Sequence, residues 1–86
     1  MWSLRVEKST IYYGKFFIGI NGRLENDFIA EYLNISEQEY QEILAQHNAI
    51  GFFNIDEKLY YFNNKKDAKN TLKQLESYII FNKLVE

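Results

Sequence analysis

The chain has 86 residues, seven Phe, seven Tyr, one Trp, no Cys and no Pro, and a net charge of −2. That length gives one domain, residues 1–86. The lack of cysteine excludes disulfides and thiolate-held zinc, so the aromatic side chains must supply much of the core. No apolar run approaches the ~18 residues of a membrane span. The N-terminus lacks the basic-then-apolar order of a signal peptide, which points to a cytoplasmic protein.

Trp2, Leu4 and Val6 alternate with Ser3, Arg5 and Glu7, the pattern of a half-buried strand. Lys8-Ser9-Thr10 suits a turn. Ile11 to Ile20 is rich in β-formers and reads as a second strand, with Phe16, Ile18 and Ile20 on one face. Gly14 and Gly19 within it suggest a bulge or a close backbone approach. Asn21-Gly22 is a turn dipeptide that ends the strand. Asn26 is then placed to cap a first helix.

Phe28, Ile29, Tyr32 and Leu33 share one helical face. Asn34 tolerates the left-handed conformation in which helices often end. Ser36 can cap a second helix, and Glu39 three residues on completes a capping box. That helix points Tyr40, Ile43, Leu44 and His47 one way. Gln38, Gln41, Glu42, Ala45 and Gln46 point the other way. Phe52 to Ile55 and Leu59 to Phe62 read as two strands around a turn at Asp56-Glu57-Lys58. Asn64 can cap a last helix with Asp67 at its third position. Ala68, Leu72, Leu75 and Ile79 form its core stripe, and Lys65, Lys66, Lys69 and Lys73 its solvated side. The expected fold is α+β, in the order β-β-α-α-β-β-α, with small antiparallel sheet elements and a long C-terminal helix.

Charge is unevenly spread. Residues 36–57 hold Glu37, Glu39, Glu42, Asp56 and Glu57 and no lysine or arginine, whereas residues 58–86 have an excess of lysine. No paired-carboxylate motif, glycine-rich phosphate loop or ligand cluster occurs. His47 stands alone, without a nucleophile pattern or a second histidine. Neither an enzyme nor a cofactor or metal site is expected.

Residues 28–44 resemble the helix-turn-helix of bacterial and phage DNA-binding proteins. The matching pattern is Ile29-Ala30, Leu33, the turn Asn34-Ile35-Ser36, Tyr40 and Ile43-Leu44. The following hairpin stands where a winged helix keeps its wing. That resemblance implies a winged-helix-like transcriptional regulator. The chain departs from it where DNA would be read, because no basic residue lies between Arg23 and Lys58. Phosphate contacts supply most non-specific affinity, so specific duplex DNA is not the expected partner. Tyr12, Tyr13, Lys15, Phe16 and Phe17 offer a weaker pattern, base stacking on a sheet.

In composition the chain is similar to small accessory proteins of phages and prophages: short, rich in Asn, Ile, Lys, Tyr and Phe, without Cys or Pro. That resemblance implies a factor that binds one host or defence protein, anti-CRISPR inhibitors among them. The residues expected to meet a basic partner surface are Glu37, Gln38, Gln41, Glu42, Asp56 and Glu57. Ile79, Ile80, Phe81, Leu84 and Val85 are more apolar than one core stripe requires. They predict a homodimer through Ile80, Phe81 and Leu84. The alternative is that the helix ends near Tyr78 and the tail folds back as a strand.

Overall fold

The computed structural model describes the backbone of residues 3–85 and the side chains of residues 3–79. The elements are β1 (Leu4–Lys8), β2 (Phe16–Ile20), α1 (Asn26–Leu33), α2 (Glu37–Gln46), β3 (Ile50–Asn54), β4 (Glu57–Tyr61) and α3 (Lys65–Val85). This is the α+β order expected from the sequence.

β1 and β2 form one antiparallel hairpin, with Leu4 opposite Ile20 and Val6 opposite Ile18. Trp2, placed on this strand by its alternation, lies outside the described residues. The second strand is shorter than its β-forming residues suggest, because Ile11 to Lys15 form a loop instead. Ser9 drives that outcome: its Oγ accepts from the amides of Ile11 (3.2 Å) and Tyr12 (2.9 Å). The chain then turns back through a bond from the Lys15 amide to the Tyr12 carbonyl, with Gly14 at φ +78°. Gly19 does mark a close approach, since a Cβ there would lie 2.6 Å from the Arg23 carbonyl oxygen. That carbonyl belongs to a two-residue turn, Asn21-Gly22, both at positive φ, which closes on paired bonds between Ile20 and Arg23.

α1 begins one residue earlier than expected. Glu25 occupies the cap position without a side-chain capping bond, and Asn26 is the first helical residue. Asn26 is buried and donates from Nδ2 to the Lys58 carbonyl at 2.6 Å, so it serves tertiary packing rather than capping. Asn34 adopts φ 60° and ends α1 as its type suggests. The Asn34 and Ile35 amides bond to the Glu31 and Ala30 carbonyls. The end of α2 repeats the device at Asn48, φ 67°. Ser36 caps α2 by accepting from the Glu39 amide at 3.0 Å. The reciprocal half of the capping box is missing. Burial first, and then the nearby Glu39 carboxylate, push the Tyr78 hydroxyl on α3 upward in pKa.

β3 and β4 pair in register from Ile50–Tyr61 to Asn54–Glu57. The turn is therefore Ile55-Asp56, shifted from the sequence reading. Paired bonds between Phe16 and Phe62 tie the two hairpins together. Asn64 caps α3 by accepting from the Asp67 amide at 2.8 Å. α3 runs to Val85, so the tail does not fold back as a strand. The side chains of Ile80, Phe81 and Leu84, expected at a dimer interface, lie outside the described residues.

One core joins these elements. It takes Leu4, Ile18 and Ile20 from the first hairpin, Ile29, Ala30 and Leu33 from α1, and Tyr40, Ile43 and Leu44 from α2. Phe62, Ala68 and Leu75 complete it. The apolar faces of all three helices fall where their spacing put them. Thr71 joins the α3 stripe, fully buried because its hydroxyl donates to the Asp67 carbonyl.

Candidate functional site

The acidic residues singled out in the sequence fall on two elements, and the fold brings part of each together. Glu37, Gln38 and Glu42 stand exposed on α2. Gln38 donates to the Glu42 carboxylate one turn along at 3.2 Å, which holds both side chains on the helix surface. Asp56 is exposed at the tip of the second hairpin, and Glu57 opens β4 half-buried beside it. Gln41 takes a structural part: its Oε1 accepts from the Tyr60 hydroxyl at 3.2 Å and fastens the hairpin to α2. That bond, with the one from Asn26 to Lys58, docks the tip beside the N-terminal ends of both helices.

Burial first, then the like charges of Asp27, Glu25 and Glu37, raise the Glu57 carboxyl above its ordinary pKa. The Asn26–Lys58 bond sets the hairpin against the start of α1, and the Tyr60–Gln41 bond sets it against α2. Glu25 is partly compensated, since Arg23 Nε lies 3.3 Å from its Oε1 and the Arg23 guanidinium sits 4.0 Å above the Phe28 ring. Asp27 accepts from the Phe28 amide at 2.8 Å. A carboxylate at a helix N-terminus is favoured by the helix dipole. This explains why Asp27 and Glu37 are tolerated so close to Glu57.

Sequence reasoning missed Glu25 and Asp27, because their own stretch is balanced by basic residues. Their position around the first turn of α1 was the available signal. It also missed the apolar character of the tip. Phe53 is 77% exposed and Ile55 is 91% exposed. Ile55 also adopts φ 60°, a left-handed conformation that a β-branched residue rarely holds. Apolar side chains and carboxylates therefore share one end of the molecule.

A comparison with protein-family models, curated proteins and solved structures finds no match to this chain.

The other candidate residues lie elsewhere. Lys65, Lys66, Lys69 and Lys73 are exposed along α3. Tyr12 stacks on Phe52 with ring centroids 4.5 Å apart and meets Tyr61 edge-on at 4.9 Å. Phe17 also meets Tyr61, and Phe16 packs on the core. Of the aromatic set considered for base stacking, only Tyr13 is fully exposed. His47 bonds through Nε2 to Gln74 Oε1 at 2.9 Å and links α2 to α3. Among the described residues, no group of three or more His, Asp or Glu could hold a metal ion. Nor is any helix among them long and apolar enough to cross a membrane.

Proposed function

We propose that this chain is a protein-binding accessory factor of the phage-inhibitor kind. Its acidic face would dock on the basic surface of a host or defence protein that handles nucleic acid. The observation that supports the reading is the docking of the second hairpin, by the Asn26–Lys58 and Tyr60–Gln41 bonds, against α1 and α2, whose first turns carry Asp27 and Glu37. Burial first, and then the charges of Asp27, Glu25 and Glu37, raise the Glu57 pKa there. Unrelieved like charge costs folding stability, and a cationic partner removes that cost on docking. The exposed Phe53 and Ile55 beside it add the apolar contact that interface centres use. The same charge opposes groove docking on duplex DNA, since α2 offers Glu37 and Glu42 where a reading helix offers cations.

The test is capture from host-cell lysate with the purified chain and with a Glu37→Lys, Glu57→Lys variant of unchanged melting temperature. The reading expects a captured protein that is lost from the variant and released by salt. Capture that survives both changes, or retention of a defined duplex sequence, refutes it.

A further inference from the structure

Among the described residues, β3 is an outer strand, hydrogen-bonded to β4 alone. The register decides which of its backbone groups are used. Across a two-residue turn the closing pair, Asn54 and Glu57, faces inward, and alternate pairs follow it. Ile50, Phe52 and Asn54 therefore bond to β4, while Gly51 and Phe53 direct their N–H and C=O groups outward. The far side of β4 has the matching phase. There the Lys58 carbonyl accepts from Asn26, and Phe62 exchanges bonds of 2.7 and 2.9 Å with Phe16. Among the described residues, nothing bonds to the outward groups of Gly51 and Phe53.

Natural edge strands are guarded by a charge, a proline or a bulge. Ile50-Gly51-Phe52-Phe53-Asn54 has no charge and no proline, and its pairing with β4 is unbroken. Beside it lies a cavity of about 130 Å³ lined mainly by Ile11, Tyr12, Phe52, Leu59 and Tyr61. A bare edge beside a cavity walled largely by aromatic and aliphatic residues is the arrangement by which sheets accept an added strand: the edge supplies hydrogen bonds and the cavity takes a side chain.

The two ends of this edge differ in charge. Asp56 and Glu57 stand at the tip end, where the Lys58 ammonium, 5.8 Å from the Phe53 ring, leaves residues 56–58 a net charge of −1, whereas uncharged Asn48 and Ala49 precede the other. We propose that β3 receives an extended segment of the partner protein as an added antiparallel strand. Its apolar side chain fills the cavity, and its basic N-terminal end lies against Asp56. The proposal rests on the acidic-face reading and specifies how that partner is held. A second copy of this chain does not meet the charge requirement, since its own β3 lies in the stretch between Arg23 and Lys58 that has no lysine or arginine.

The experiment follows amide exchange by NMR, with a synthetic probe: an acetylated peptide alternating valine and threonine and beginning with two arginines. The Gly51 and Phe53 amides should exchange freely in the protein alone and slow by about tenfold or more with peptide. Moving the arginines to the C-terminal end, or replacing them by glutamates, should weaken binding by about tenfold. Phe53→Pro, which removes one outward N–H but no bond to β4, should abolish the slowing at Gly51. Phe53→Ala should keep it. No slowing at millimolar peptide overturns the proposal. So does slowing that follows protein concentration alone, which would make the occupant a second copy. Arginine-dependent binding without slowing removes strand addition and leaves the acidic-face reading standing. Slowing without arginine dependence removes the basic segment.

Discussion

Ile55 gives the sharpest prediction about this fold. It holds φ 60° at the first position of a two-residue turn, with its side chain 91% exposed. The left-handed conformation costs an ordinary L-residue about 1–2 kcal/mol, and β-branched side chains suffer most. Exposure this high means that truncating the side chain forfeits little burial. Asp56 is not at positive φ, so the turn follows the II′ pattern, whose first position favours glycine. Ile55→Gly should therefore stabilise by about 1 kcal/mol, the relieved strain being offset in part by glycine's extra chain entropy. Ile55→Asn should gain less, because what asparagine tolerates is the left-handed well that Asn34 occupies at φ 60° and ψ 45°. A domain of this size gains about 4–8 °C in melting temperature per kcal/mol. Thermal unfolding followed by circular dichroism should show both variants melting higher, glycine above asparagine. If both melt lower, Ile55 contributes packing that its exposure denies, and the strain argument fails. If the tip is an interface, the more stable Ile55→Gly protein should also bind its partner more weakly.

Leu44 and Leu75 are 2% and 0% exposed in the shared core, so Leu44→Ala and Leu75→Ala should each cost about 2–5 kcal/mol. Unchanged urea midpoints would contradict the assignment of helix faces. Glu57→Gln should stabilise at neutral pH. A carboxyl whose folded pKa is raised contributes stability below its unfolded pKa and loses it as pH rises through the folded value. The gap between variant and wild type in urea titrations should close by about pH 3, below the unfolded glutamate pKa. A constant gap would remove charge as its cause. The apolar sequence at Ile80, Phe81 and Leu84 predicts a homodimer, and a monomer mass by sedimentation equilibrium at tens of micromolar would refute it.

The parts of the fold that the sequence made legible are those governed by near neighbours. Periodic apolar residues gave the helix faces, and Asn34, Ser36 and Asn64 gave three helix ends by local bonds that their side chains permit. The errors came where two local preferences competed, or where a distant partner decided. Ile11, Tyr12 and Tyr13 are good strand formers, yet the Ser9 hydroxyl and the Gly14 turn bend them into a loop. Asn26 is a good cap residue, yet Lys58, 32 positions away, takes its side chain. The candidate site was half legible for this reason. Its α2 and hairpin residues announce themselves as an acidic run. That Asp27 and Glu37 approach Glu57 depends on how the hairpin docks, and no local pattern encodes that.

The most direct test of the acidic-face reading is zero-length carbodiimide coupling of the captured complex, followed by mass spectrometry. This reagent joins a carboxylate only to an amine in contact with it. The account predicts couplings from Asp27, Glu37, Asp56 and Glu57 to lysines of the partner. Couplings confined to Glu76, or to Lys65, Lys66, Lys69 and Lys73 from carboxylates of the partner, would place the interface on α3 and contradict it.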